Sequence, residues 1–182
     1  LHAPFLFGFG GRLFDDAGRA VFDTPEMARS LAFVKDLQDL RLIPEEASGA
    51  LVTSLFGDGR AAMVISGPWF AGEIPKTVSY SVFPLPRVSE TGLPMRPFLG
   101  VEAALVSSKS EDPGGARKLA RFLSLGEASV LRAVTGGQVP ANVAAYADPK
   151  VRRDRIVSAF RAAARNAVPM PNTLEMARVW EP

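Results

Sequence analysis

The sequence contains no cysteine. That absence removes disulfide staples, thiolate metal sites and cysteine nucleophiles in one step. It contains one histidine, His2, so neither a catalytic triad nor a two-histidine metal site has the material it needs. Tryptophan and tyrosine occur twice each. An excess of one charge is also lacking: 21 basic and 19 acidic residues leave a net +2 over 182 residues. A balance that even argues against a surface built for nucleic acid. No apolar run reaches the roughly 18 residues that a membrane-spanning helix needs. No basic-then-apolar leader stands at the start. The chain opens at Leu1 in mid-pattern and stops abruptly at Trp180-Glu181-Pro182. We therefore expect a processed or excised piece of a longer polypeptide.

What is present is an ordinary folding composition. The chain is 47% hydrophobic and 22% charged, close to globular averages. Its length allows one large domain or two small lobes. The one local concentration of charge is Arg152, Arg153, Arg155, Arg161 and Arg165. Phe160 is its sole interleaved aromatic, so the segment reads as a solvated helix face. "GFGG" at 8–11 invites comparison with a dinucleotide loop, but Leu13 stands where the third glycine belongs. A tight turn between apolar elements is the expectation for residues 4–14.

Local signals then set the elements. "FDDAGRAVF" reads as a turn at Asp16-Ala17-Gly18 between short strands. Thr24 or Asp23 can cap a helix whose first turn holds Pro25 and Glu26. Met27, Leu31, Val34, Leu37 and Leu40 give it one apolar stripe, and Pro44 is the expected stop. A helical turn from about 51 leads to the turn Gly57-Asp58-Gly59. Strands are expected at 61–66, 78–86 and 98–108. Helices are expected at 114–125, 127–135 and 150–166, with a Pro-bounded connector carrying a short helix at 139–149 and a last helix at 173–180. Strands separated by helices favour the α/β class.

The stretch "FGDGRAAMVISGPWF" carries the functional signal. Phe56, Gly59, Ala61, Ala62, Met63, Gly67, Pro68 and Trp69 resemble a motif of ABC-transporter solute-binding proteins of the maltose/maltodextrin-binding class. "YSVFPLP", "RPFLGVEAALVSSKSEDPGGARKLARFLSL", "GGQVPANVAAYADP" and "PMPNTLEMARVW" are similar, in order, to further segments of that family. The resemblance implies a type II periplasmic-binding-protein-like α/β fold with helices flanking a mixed sheet. It implies that residues 1–98 and 166–182 form most of a ligand-binding C-terminal lobe. Residues 103–163 would then belong to the opposing lobe, with hinge crossings near 98–102 and 164–168. It also implies a longer parent, with more chain before Leu1 and after Pro182.

The function implied is that of the substrate-binding component of a carbohydrate importer. It would bind an oligosaccharide in an aromatic-lined interlobe cleft and present it to the permease subunits, in the periplasm or outside the cell, or membrane-associated through the transporter. No cofactor and no metal are implied. The ligand-binding residues implied are Trp69, Trp180, Phe70, Met170 and Asn172. A second tryptophan that some maltose binders place two positions after the first is Ala71 here, which reduces the stacking surface. The chemistry fits the residue types. A flat aromatic ring covers the C–H face of a pyranose, while polar groups satisfy its hydroxyls. Arg96, Glu102 and Glu175 are hydroxyl-binding candidates by chemistry alone, with solvated surface the plainer reading. Two alternatives stand beside this one: a binding domain fused to or inserted in the permease subunit, and a carbohydrate-active enzyme with a paired carboxylate site. Dimerisation or segment exchange would cover apolar surface left open in an isolated fragment.

Overall fold

The computed structural model describes residues 2–179. Its helices in chain order are α1 (Ala3–Gly8), α2 (Pro25–Asp39), α3 (Gly49–Gly57), α4 (Pro113–Ser124), α5 (Gly126–Gly136), α6 (Pro149–Arg153), α7 (Arg155–Ala164) and α8 (Leu174–Ala177). Two 3-10 turns, Pro68–Gly72 and Val143–Ala147, join them, and β1 (Phe98–Leu99) pairs in parallel with β2 (Val168–Pro169). The chain divides into two units: Leu1–Ala47, Pro84–Gly100 and Ala163–Pro182 in the first, Ser48–Phe83 and Val101–Ala162 in the second. Residues 48–83 group with 101–162.

In the first unit, α2 begins as its local signals require. The Thr24 hydroxyl accepts the Met27 N–H at 3.2 Å, Pro25 occupies the first turn and Glu26 lies in it. The helix ends five residues before Pro44. Arg41 takes φ 56, the Arg41 N–H reaches the Gln38 carbonyl, and the Leu42 N–H reaches the Leu37 carbonyl. This is a Schellman closure with arginine where glycine is usual. Residues 3–8 form a short helix, not the expected simple turn. Pro4 starts it, and its inward residues Pro4, Leu6 and Gly8 are buried. His2 Nε2 lies 2.9 Å from the Ser30 hydroxyl, and Ser30 also donates to the Met27 carbonyl. Phe5 and Phe9 pack on Phe33 of α2, while Phe9, Val88 and Met95 form the local core with Phe5 and Leu85.

In the second unit, Ser48 caps α3 through the Leu51 N–H, and Asp112 caps α4 through the Gly115 N–H. Helix α5 ends at Gly137, whose φ of 64 suits a residue without Cβ. Asn142 donates to the Ser124 carbonyl and accepts the Ala144 N–H, tying the connector to the end of α4. Ala133, Val151 and Val157 are the buried core, with Val130 and Tyr146 against them. The expected single helix at 150–166 is two helices. Asp154 breaks it by accepting the Ile156 and Val157 N–H groups at 2.8 and 2.9 Å, which restarts the chain as α7.

The expected strands depart most. The only named ladder among the described residues is β1–β2, where the Val168 and Met170 N–H groups donate to the Pro97 and Leu99 carbonyls. Residues 62–66, 79–83 and 101–106 make no backbone hydrogen bond among the described residues. Apolar side chains along them stay in solvent, Met63 at 87% and Leu105 at 89% exposure. The reason is physical: a strand is completed by a neighbour, and the described chain offers these segments none.

Candidate functional site

The motif "SGPWF" forms a compact platform in the second unit. Pro68 starts the 3-10 turn Pro68–Gly72, and the Phe70 N–H closes it on the Gly67 carbonyl at 3.1 Å. The two aromatics then separate. Phe70 is 7% exposed and packs on Phe56, ring centres 6.0 Å apart, and Phe56 meets Tyr80 edge-on at 6.5 Å. Trp69 is 65% exposed. Its six-membered ring lies over Gly67, so a Cβ at Gly67 would overlap the indole itself. Gly67 has extended backbone, φ −100 and ψ 179; the glycine is needed there for close approach, not for its torsions.

Physical chemistry can assign roles to these four residues. Pro68 fixes the first φ of the turn. Gly67 lets the indole lie back over the chain. Phe70 supplies the anchor. Trp69 presents a large apolar plane to solvent with an N–H at its edge. The Thr53 hydroxyl donates to Glu73 at 2.8 Å, joining α3 to the end of the same turn.

Of the remaining sequence candidates, Met170, Asn172, Arg96 and Glu175 lie in the first unit and Glu102 in the second. Met170 is 39% exposed and follows β2, held by its N–H on the Leu99 carbonyl at 3.1 Å. Asn172 is exposed in the loop before α8, while Met176 of that helix is buried. Trp180 lies outside the described residues. Arg96 is exposed, and its Nε donates to the Asn166 carbonyl at 2.8 Å, which ties the approaches to β1 and β2 together. Glu102 is exposed. The carboxylate of Glu175 is held below its ordinary pKa by its own backbone N–H and by the Thr173 hydroxyl, as suits the first turn of α8. The structure thus brings Trp69 and Phe70 into one turn but gives them different environments. Sequence reasoning missed Gly67 and Phe56 as the supports of that turn. Their signal was available in the Gly-Pro step and in the spacing of Phe56 and Phe70.

A separate open groove of the second unit, of about 540 Å³, is lined by Val130, Leu131, Val134 and Ala144 together with Glu127, Asp148 and Lys150. It contains none of the sequence candidates. Among the described residues no cluster of three or more His, Asp or Glu is placed to hold a metal, and no helix is long and apolar enough to cross a membrane.

Comparison with known proteins gives these observations a frame. Residues 2–159 match the family described as bacterial extracellular solute-binding protein. The galactooligosaccharide-binding protein of Bacillus subtilis is 28% identical over 189 residues, covering 97% of this chain and 45% of that protein. The maltose-maltodextrin binding protein of Alicyclobacillus acidocaldarius superposes with a TM-score of 0.88 at 27% identity, over 99% of this chain and 51% of that one. The Thermus thermophilus maltotriose binding protein, solved with maltotriose bound, gives 0.85 at 29% identity, over 99% and 50%. The chain therefore spans about half the length of these relatives, and within that half it has their periplasmic-binding-protein-like fold.

Proposed function

Because this chain belongs to the bacterial extracellular solute-binding protein family, we propose that it is part of the substrate-binding component of a carbohydrate ABC importer. Its ligand would be a maltose- or maltodextrin-like oligosaccharide, taken on the aromatic surface that Trp69 presents. The observation that carries this reading is the contrast within one turn: Phe70 is buried as an anchor, while the Trp69 indole beside it is 65% exposed.

An exposed indole on a pinned turn suits a sugar for energetic reasons. Covering it with the C–H face of a pyranose removes apolar area from water on both partners. Because the turn is already fixed by Pro68, Gly67 and Phe70, little conformational entropy is lost when the ligand arrives. The sugar hydroxyls at the rim then need planar polar partners. By residue type, Asn172 is our candidate for such a partner, Met170 for a soft apolar contact and Trp180 for a second stacking plane. Phe70 acts on the ligand through the position it gives Trp69. The work in this reading is binding: the relatives are solute-binding proteins, and Trp69 offers apolar area for a sugar face. The two chain crossings near 98–102 and 164–168 are the segments we assign as hinges for closure. Permease subunits of the importer are the macromolecular partners in this reading, and the compartment is extracellular or periplasmic.

The test is a fluorescence titration with maltose, maltotriose, trehalose and sucrose, with Trp69→Ala and Trp180→Ala measured beside the parent. There are two tryptophans in the chain, so the signal is assignable. A saturable response to the maltose series, lost in Trp69→Ala, is the expected outcome. A saturable response of unchanged midpoint in Trp69→Ala would remove the indole from the site and with it the reading.

A further inference from the structure

The helical part of the second unit has a charge distribution that sugar binding does not use. Residues 113–162 hold nine Lys or Arg against three Asp or Glu, although the whole chain is nearly balanced. The density peaks in "KVRRDR", where Lys150, Arg152, Arg153 and Arg155 are all exposed. None of the four side chains has a hydrogen bond or ion pair among the described residues. The two carboxylates next to them in sequence accept from the backbone instead. Asp148 accepts the Lys150 N–H at 2.8 Å, and Asp154 accepts the Ile156 and Val157 N–H groups. Arg161 sits at the edge of the group, its guanidinium 3.9 Å from the centre of the Tyr146 ring. Val151 and Val157, each 1% exposed, pin both helices to the core and leave the cations outward.

We propose that the Lys150–Arg155 corner is an electrostatic docking surface for anionic phospholipid headgroups. The inference is independent of which sugar the protein binds. The choice of a lipid surface over an acidic protein follows from what the corner lacks. Protein interfaces need a desolvated centre, rich in aromatic residues and poor in charge. Here the apolar residues between the cations, Val151 and Val157, are turned inward and fully used. Lys150 also borders the apolar groove of α5, but Arg152, Arg153 and Arg155 stand outside its lining, and exposed cations without an apolar centre of their own suit a diffuse sheet of phosphate charge, which imposes no shape and needs no desolvation. Each cation brought close to such a surface strengthens binding by about fivefold, and the effect fades within a Debye length.

The experiment is co-sedimentation of the 182-residue chain with vesicles of phosphatidylglycerol and phosphatidylcholine, against vesicles of phosphatidylcholine alone, at low and high salt. The parent should bind the anionic vesicles and not the neutral ones, and should release at high salt. Arg152→Glu/Arg153→Glu/Arg155→Glu should lose about a hundredfold in affinity or more, from three cations at roughly fivefold each. A control of equal charge change in the same unit, Arg60→Glu/Lys76→Glu/Lys109→Glu, should retain parental binding within a few-fold. Circular dichroism melts establish that both variants are folded, and Arg152→Gln/Arg153→Gln/Arg155→Gln gives the milder step should the reversal unfold the corner. Equal loss in the control would reduce the effect to net charge and overturn the proposal. So would absence of parental binding to anionic vesicles. Binding to soluble poly-glutamate without binding to vesicles would overturn it in favour of an acidic protein partner.

Discussion

Trp69 and Phe70 are neighbours in the chain, yet replacing each with alanine should separate stability from ligand binding. Phe70 is 7% exposed against Phe56, so truncation removes nearly all of a buried aromatic and leaves a cavity. Core Phe→Ala changes cost about 3–5 kcal/mol. Trp69 keeps 65% of its surface in water. Its buried third amounts to roughly 90 Å² of a ring system of about 250 Å², which at about 25 cal/mol per Å² sets a ceiling near 2 kcal/mol. The measurement is urea unfolding followed by far-UV circular dichroism, paired with the sugar titration. Phe70→Ala should lower the midpoint strongly. Trp69→Ala should move it little and abolish the sugar response. Equal destabilisation by the two changes would mean that the indole is a structural plug, and the argument from its exposure would fall.

Three further outcomes follow from particular contacts. Gly67→Ala places a methyl where the Trp69 ring lies; the indole must swing away, so Trp69 emission should shift and sugar affinity should fall by more than stability does. Arg41→Gly relieves a non-glycine residue at φ 56 and should stabilise the chain by about 0.5–1 kcal/mol in urea unfolding, the left-handed cost less the added freedom of the unfolded chain. Burial lowers the pKa of His2, the chain's one histidine, and its ring meets Ser30 Oγ. Its NMR titration should therefore run below the ordinary imidazole value. Because the unfolded state takes up that proton first, the stability it contributes is present above the unfolded pKa and is lost as pH falls toward the folded one; His2→Gln should flatten that part of the melting-temperature profile.

What could be read from sequence, and what could not, divides along physical lines. The start of α2 was legible because Thr24, Pro25 and Glu26 are local signals with local partners. The stop of α5 was legible because Gly137 alone accommodates its left-handed turn. The stop of α2 was not, since Arg41 performs a glycine's task there. The break at Asp154 was hidden because the flanking apolar pattern is continuous, and only the side chain's two backbone bonds interrupt it. The strand expected at 61–66, and the one at 98–108 beyond Leu99, failed for a different reason. Val64, Ile65 and Leu105 have the propensity, but a ladder is a property of two segments, and periodicity in one cannot supply the other. At the candidate site, residue type pointed to Trp69 and Phe70 alike. Which of them faces inward depends on the handedness and pitch of a single 3-10 turn, a geometry that composition does not encode.

That turn also explains why an exposed tryptophan can be kept without loose packing around it. A large ring in solvent is normally a liability, since it is free to move and attracts unwanted contacts. Here its freedom is limited by neighbours whose requirements are separate from the ring's own. Pro68 restricts the backbone, Phe70 fixes the turn to Phe56, which itself packs edge-on against Tyr80, and Gly67 lets the indole rest on main chain in place of a side chain. Each support can be removed without touching the exposed face. If the face binds sugar, loss of a support should weaken affinity through disorder of the indole while leaving sugar selectivity unchanged. Loss of the indole itself should remove binding altogether. A support variant that changes the preferred sugar would show that the supports contact ligand directly, and the division of labour within the turn would have to be redrawn.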